Sequence, residues 1–395
     1  MTAGRVLMAE EGGVGGVADY SADLCAALGR AGWAVELVTA RDHRFEPMPN
    51  VTAHRVFPYV RGRGPLGRAV RRAGLSKPVN GITHLAANAP LLAIARRCDV
   101  VHVQGGEWPP LGALQALLVR AARRPLVWTP HNTFDRGAHA HARARDLTVR
   151  GAARVIVHAE HDRAGLDPAA AAKTVVIPHG EYGGLARRGA PDADPAAARA
   201  ELGIPEGALV ALMFGQLRPD KGIADLLAAA AEVEAVHVVL AGADQGALAE
   251  SAALLADPRL AGRVTVREGF VEPERVGPLF AAADVVALPY RVASASGVLL
   301  LAYGYGRPVV AYPVGGLPEY VEEGVSGWVC AQPRPAALAE RLRAATALGR
   351  DGCRRLGASA QAMAQERYSW DAIAERTIAL YREVLGARYH RHSAR

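Results

Sequence analysis

Two cationic side chains, Arg218 and Lys221, fall in the segment FGQLRPDKG, Phe214 to Gly222, between an apolar run and a helix-forming one. A turn in that position can hold a diphosphate. The amino end of a helix presents unpaired N–H groups and a partial positive charge, so a docked anion gains from the dipole and from both cations. An anionic leaving group is the natural guest; a surface Arg and Lys on a plain tight turn is the alternative reading. Glycines 12, 13, 15 and 16 are a second candidate, because a backbone without Cβ atoms lets a ligand come close. Their spacing does not match the G-x-G-x-x-G dinucleotide fingerprint, and no acidic residue closes the next strand, VELVTA. The third candidate is His131 in LVWTPHNTF, just past an apolar strand, where α/β sheets put their ligands. A histidine satisfied structurally behind that strand is the other reading of it.

Both candidate turns require the same elements around them. VALMFG leads into the first, and the Ala/Leu-rich IADLLAAAAEV follows it before a second strand, HVVLAG. RVLMAE leads into EGGVGGVADY, followed by the amphipathic SADLCAALGRAG and the strand VELVTA. At 395 residues the chain is long for one domain. It comfortably makes two α/β domains of roughly 180–200 residues each. Half of its residues are apolar and 22% are charged, and short Val/Leu-rich strands alternate with Ala-rich helices. That alternation predicts parallel sheets with helices on both faces. The pattern breaks in GEYGGLARRGAPDADPAAARAELGIPEG, where Gly, Pro and charge replace the apolar period. An N-terminal domain is therefore expected over residues 1–180 and a linker region over 181–206.

Several classes are excluded by composition. No apolar run reaches the roughly 18 residues a membrane helix needs. Glu10 and Glu11 interrupt the first apolar stretch, so no signal peptide is expected and the chain reads as cytoplasmic. Cys25, Cys98, Cys330 and Cys353 lie far apart with no C-x-x-C pair, which fits reduced, buried thiols. The net charge of +7 is uneven: between Pro47 and Cys98 there is no acidic residue, while Arg55, Arg61, Arg63, Arg68, Arg71, Arg72, Lys77, Arg96 and Arg97 fall inside. Such a block suits an anionic lipid surface or an acidic acceptor, and equally a solvated loop and helix face. Peripheral contact with the inner face of a membrane is one partner this allows. Nucleic acid is not expected, because no helix-turn-helix, zinc-finger or RNP-type aromatic signature accompanies the charge. Asp192 and Asp194 resemble a metal-binding D-x-D but precede the helix PAAARAEL and read as linker and N-cap. His139 and His141 lack a third ligand at a sensible spacing, so no metal is expected.

REGFVEPERVGPLFAAADVVALPYRVASASGVLLLAYGYGRPVVAYPVGGLPEYVEEGVSGWVC, together with FGQLRPDKG, the Gly-rich loop, VIPHGEY and the closing YSWDAIAERTIALYREVL, resembles the retaining nucleotide-sugar glycosyltransferases of family 4. The resemblance implies α/β domains of the GT-B fold: two Rossmann-like, doubly wound parallel-sheet domains facing across a cleft. It further implies a nucleotide-sugar domain at 207–368 and, at 369–395, a C-terminal helix returning to the N-domain and a tail. It carries a diphosphate-holding role onto Arg218 and Lys221, base-flanking roles onto Phe270 and Val271, and donor contacts onto Ser294, Ser296, Gly297 and Val298. His131 would point at the transferred sugar, with Gly15 and Gly16 closing on the diphosphate from the other domain. Asp19 and Glu107 are candidates for acceptor hydroxyl contacts, Glu107 following the strand end in VHVQGGEW. His179 and Glu181, at the junction, contact the bound sugar or form only the hinge.

One departure stands out. The family's usual pair of glutamates would fall near Ala293 and Leu301, and neither is acidic. Backbone groups and Ser hydroxyls are then expected to supply the sugar and ribose contacts, since Leu cannot accept a hydrogen bond. The activity implied is metal-independent transfer of a sugar from a UDP- or GDP-linked donor to a hydroxyl of a sugar, a cyclitol or a cell-surface glycan precursor, with retention. No cofactor is expected, the nucleotide sugar being the substrate. A nucleotide-sugar-binding protein or partner subunit without transferase activity is the rival reading.

Overall fold

The computed structural model of the chain describes residues 3–13, 15–41, 43, 45–57, 72, 88–105, 109–131, 142–182 and 193–393. Glu107, His139, His141, Asp192, Arg61, Arg63, Arg68, Arg71 and Lys77 lie outside these described residues. The chain divides into two compact units, residues 1–178 with 370–395, and residues 179–369.

The first unit is built on the strands β1 (Arg5–Glu10), β2 (Ala34–Ala40), β3 (Val51–Phe57), β4 (Val100–Gln104), β5 (Leu126–Thr129), β6 (Arg154–Val157) and β7 (Thr174–Val176). They form one parallel sheet in the order β3-β2-β1-β4-β5-β6-β7. RVLMAE becomes a central strand because both of its faces are apolar. Val6 and Met8 enter one core and Leu7 and Ala9 the other, the two-residue period of a strand covered on both sides. The first core is completed from the far end of the sequence. In the helix Trp370–Ser393, Trp370, Ile373, Ala374, Ile378 and Tyr381 pack with Tyr20, Leu24, Leu28 and Trp33. Arg30 pairs with Asp371 at 2.7 Å, and Arg154 with Glu383, at the margin of that contact.

The second unit repeats the plan with β8 (Leu209–Phe214), β9 (Val236–Gly242), β10 (Val264–Glu268), β11 (Val285–Leu288), β12 (Val309–Ala311) and β13 (Gly327–Val329), parallel in the order β10-β9-β8-β11-β12-β13. In β8, Val210 and Leu212 face one core and Leu209, Ala211 and Met213 the other. Asp194 caps the helix Pro195–Leu202, accepting from the N–H groups of Ala196 and Ala197 at 3.0 and 3.3 Å. Buried Asp284 ties that helix to the sheet, accepting from Arg199 Nη2 at 2.7 Å and from Val210 N at 2.8 Å. All four cysteines are buried, free thiols. Among the described residues no helix is long and apolar enough to cross a membrane. No group of three or more metal-ligating side chains is found among them either.

In each sheet the strand order reverses once, between β1 and β4 and between β8 and β11. Open α/β sheets hold ligands at the carboxyl ends of the strands beside such a switch point.

Candidate active site

In the second unit, β8 runs out through Gly215 and Gln216 to Arg218. A 3-10 turn over Pro219–Lys221 follows, and Gly222 opens the helix Ile223–Ala231. Gly222 has a left-handed φ of 72°, and a Cβ there would lie 2.0 Å from the carbonyl oxygen of Pro289. Only glycine lets this turn close on the end of β11. Arg218 donates through Nε and Nη2 to the two Asp220 oxygens at 2.8 and 2.7 Å, and through Nη1 to Gln216 Oε1 at 3.1 Å. Hydrogen bonding to Arg218 holds the Asp220 carboxyl below the usual carboxylate range. The turn therefore presents a pre-aimed guanidinium with its own counter-ion, and Lys221 adds a second cationic side chain. Lys221 Nζ stands 3.4 Å from the centre of the Tyr290 ring, a cation over an aromatic face.

Tyr290 joins this turn to the serine-rich one. Burial pushes its phenol up to about 12, against a hydrogen bond from Ser296. Ser296 also caps the helix Gly297–Gly304, its Oγ accepting from Leu299 N at 3.3 Å. A Cβ on Gly215 would sit 3.7 Å from Val298 Cγ2, so the two turns meet over the end of β8. Ser294 is buried, and its carbonyl accepts from Gly316 N at 2.8 Å. Gly297 has a packing reason for lacking a side chain: a Cβ would lie 2.7 Å from the Tyr182 ring. Leu301 is 4% exposed in the core, with Ala293 packed against the same cluster.

Past β10, Phe270 is 69% exposed and Val271 is half-buried. They border a cavity of about 200 Å³ that Leu202, Arg275 and Leu279 also line. His179 is buried; its backbone N–H donates to Tyr320 Oη at 2.9 Å and its Nδ1–H to the Gly180 carbonyl at 2.7 Å. Glu181 N donates to the Tyr368 carbonyl at 2.8 Å.

The first unit furnishes its switch point differently. Glu10, 2% exposed at the end of β1, accepts from Gly12 N at 2.7 Å, Gly13 N at 2.8 Å and Thr39 Oγ1 at 3.0 Å. A buried carboxylate is stable when several donors converge on it, and here it consumes two of the glycine loop's amides. Gly15 is exposed, with φ of 103°, and the helix Gly16–Arg30 begins directly behind it, ahead of SADLCAALGRAG. Asp19 lies in its first turn, donating its N–H to Gly15 O at 2.9 Å.

His131 follows β5 with φ of 57°, a left-handed conformation that costs a non-glycine residue about 1–2 kcal/mol. Its Nε2 lies 3.0 Å from Gln104 Oε1, and the Tyr20 and His158 rings flank it at 4.8 and 5.2 Å. Burial pushes His158 down to about 4 and His102, beneath Gln104, down to about 3. The second unit thus brings Arg218, Lys221, Ser296 and Val298 together at one edge. The first brings Gly15, Gly16 and His131 to the ends of its central strands.

The profile of the glycosyl transferases group 1 matches residues 194–363, and that of the glycosyl transferase 4-like domain matches residues 15–180. The D-inositol 3-phosphate glycosyltransferase of Segniliparus rotundus is 30% identical over 95% of this chain and 86% of its own length. The chain belongs to the group 1 glycosyltransferases of family 4. This transferase is also similar to the D-inositol 3-phosphate glycosyltransferase of Streptomyces griseus, 35% identical over 51% of this chain and 44% of that one. Among solved structures, Anabaena Alr3699/HepE in complex with UDP superposes with a TM-score of 0.72 at 22% identity, over 96% of this chain and 100% of that one. The catalytic domain of Arabidopsis thaliana starch synthase IV, bound to ADP and acarbose, reaches 0.74 at 15% identity, over 98% and 100%. These likenesses establish the fold class of the transferase, two Rossmann-like domains of GT-B type.

Several residues of the transferase's two edges are not singled out by sequence reasoning: Asp220, Tyr290 and Arg291 in the second unit, Glu10 and Gln104 in the first. Arg291 donates its N–H to Asp220 O at 2.8 Å and pairs with buried Asp225 at 2.7 Å, tying the end of β11 to the turn that carries Arg218 and Lys221. A polar residue closing an otherwise apolar strand, as Glu10 and Gln104 do, was the available signal.

Proposed function

We propose that this transferase moves a sugar from a nucleoside diphosphate, UDP first among them, to a hydroxyl of a sugar-like or cyclitol acceptor, with retention and without a metal ion. The observation that carries the reading is the edge of β8 and β11. There Arg218, Lys221 on Tyr290, and the Ser296-capped helix start converge. Two cations and helix N-termini favour an anion whose charge grows as the glycosidic bond breaks. UDP is favoured because the Anabaena neighbour was solved with it, and a cyclitol because the curated relatives act on inositol 3-phosphate.

In the proposed step the bond from the anomeric carbon to the diphosphate oxygen breaks, and the acceptor oxygen bonds to that carbon from the same face. The acceptor's proton passes to the departing phosphate, so no protein nucleophile is required. Arg218 would exchange part of its bond to Asp220 for the diphosphate, which moderates the gain. His131 would serve the transferred sugar, the exposed Gly15 and Gly16 the diphosphate, and Phe270 and Val271 the base. Ser294, Ser296, Gly297 and Val298 would serve the donor through backbone and hydroxyl groups. Asp19, Glu107, His179 and Glu181 remain the acceptor candidates.

The test is a calorimetric screen of UDP, GDP, ADP and dTDP and their sugar conjugates against the wild type and Arg218→Ala. One nucleotide should bind and weaken in the variant. Binding of none would remove the proposed donor site, whereas binding without transfer would favour the second reading, a nucleotide-sugar-binding protein without turnover, for which the core position of Leu301 is the specific argument.

A further inference from the structure

A buried chain of neutral hydrogen bonds runs from the C-terminal helix to His131. Tyr381 Oη lies 2.6 Å from His102 Nδ1, and Gln104 Nε2 lies 3.2 Å from His102 Nε2. Gln104 Oε1 lies 3.0 Å from His131 Nε2. Gln104 Nε2 also faces Met8 Sδ at 3.3 Å, and Thr129 Oγ1 lies 2.7 Å from His102 Nε2. An amide nitrogen only donates and an amide oxygen only accepts, so the chain has a direction. The sulfur is an acceptor and orients the amide with its nitrogen inward. His102 Nε2 then accepts, its one proton sits on Nδ1, and that proton goes to Tyr381 Oη. At the other end Gln104 Oε1 accepts, which puts a His131 proton on Nε2.

We propose that Gln104 is a positioning residue of the transferase, holding His131 in the Nε2–H tautomer with its ring fixed at the carboxyl edge of β5. The proposal rests on the reading of His131 as a sugar-contacting residue. Gln104 is 2% exposed and stands between Glu10 on β1 and Thr129 on β5 in the sheet register, so its amide has little freedom to turn. The His131 backbone is held at φ of 57°. A left-handed residue beside an oriented ring is the pattern of a side chain aimed for use. The neighbouring rings, Tyr20 from the helix Gly16–Arg30 and His158 beyond β6, pack beside it at 4.8 and 5.2 Å and limit its rotation. His131 would therefore meet the sugar with its ring held in one orientation.

The experiment is a long-range proton–nitrogen correlation spectrum of the full chain labelled with ¹⁵N-histidine, with His131→Gln to assign the signal. The wild type should show His131 as Nε2–H. Gln104→Met should shift it toward Nδ1–H or a mixture and lower kcat on the order of tenfold, with donor KM nearly unchanged. Gln104→Glu keeps an acceptor at the same place and should restore the protonated Nε2. An Nδ1–H signal in the wild type, or an unchanged one in Gln104→Met, overturns the proposal. If Gln104→Met does not fold, the wild-type spectrum decides alone. Full transfer by His131→Ala would remove the functional reading of His131 and is scored separately from the tautomer.

Discussion

Where β1 and β4 part, the side chains that meet are Glu10, Gln104, His131 and Tyr20, buried or half-buried and held by hydrogen bonds and ring contacts. Where β8 and β11 part, they are Arg218, Lys221, Asp220 and Arg291, cations beside carboxylates and one tyrosine ring. The strand order around both points is the same. Topology thus supplies a place at the strand ends, while the residues there decide what it recognises. A carboxylate clamps the glycine loop of the first edge from within, whereas at the second Arg218 and Lys221 stand beside Asp220, the arrangement from which a phosphate-holding role is proposed.

The comparison breaks first at Arg218 and Lys221. Either residue changed to Ala should lower transfer about a hundredfold or more, with weaker nucleotide binding by calorimetry. Near-normal turnover in both would remove the proposed diphosphate site, and the cationic edge would then be no more functional than the other.

Acid should separate the units next. Folding holds His102 and His158 at about 3 and about 4 against an ordinary 6.5. The unfolded chain takes up those protons first, so stability falls as the pH drops through 6.5 toward 4 and is fully present above 6.5. The loss is about 2 kcal/mol per histidine at pH 5. His237, buried in the second unit, is shifted the same way, burial being the largest cause. Urea midpoints at pH 7 and 5, read by tryptophan fluorescence, report mostly on the first unit, which buries Trp33, Trp128 and Trp370 against Trp328 in the second. Equal midpoints at the two pH values would mean the buried imidazoles are not held neutral.

Glu10→Ala comes third. Two loop amides lose their acceptor, which should cost about 2 kcal/mol in urea unfolding while nucleotide affinity stays the same. A drop in nucleotide affinity as large as that of Arg218→Ala would erase the proposed division of labour. The smallest effect is expected at Tyr290. Tyr290→Leu removes the ring under Lys221 and should weaken nucleotide binding by roughly fivefold, about 1 kcal/mol, with Tyr290→Phe retaining the ring. Equal affinities for both variants would show that the hydroxyl bond to Ser296, not the cation on the ring, sets the turn.

The strands and the two glycine-bearing turns were legible because apolar runs and Gly punctuation are local signals. So was the capping role of Asp194. The partners of the site were less so. Asp220 is two residues from Arg218, yet its bidentate grip depends on the 3-10 turn, which the run RPDKG does not announce. Glu10 read as the interruption of an apolar stretch, because nothing local shows three donors converging on it. Gln104, His102 and Tyr381 are joined only by the sheet register and by a helix from the far end of the chain. Gly297, expected among the donor contacts, has a packing reason of its own in Tyr182. Glu107 falls outside the described residues.

The helix Trp370–Ser393 bears on how the protein is made. Residues 179–369 are complete as a unit when residue 369 emerges from the ribosome, whereas residues 1–178 must wait for Trp370, Ile373 and Tyr381 to cover Tyr20 and Trp33. Synthesis runs from the amino end, but the order of completion is reversed, and the earliest part of the chain spends longest with an uncovered apolar face. During that interval a chaperone would have its substrate, and a chain cut short before residue 370 would keep the face exposed for good.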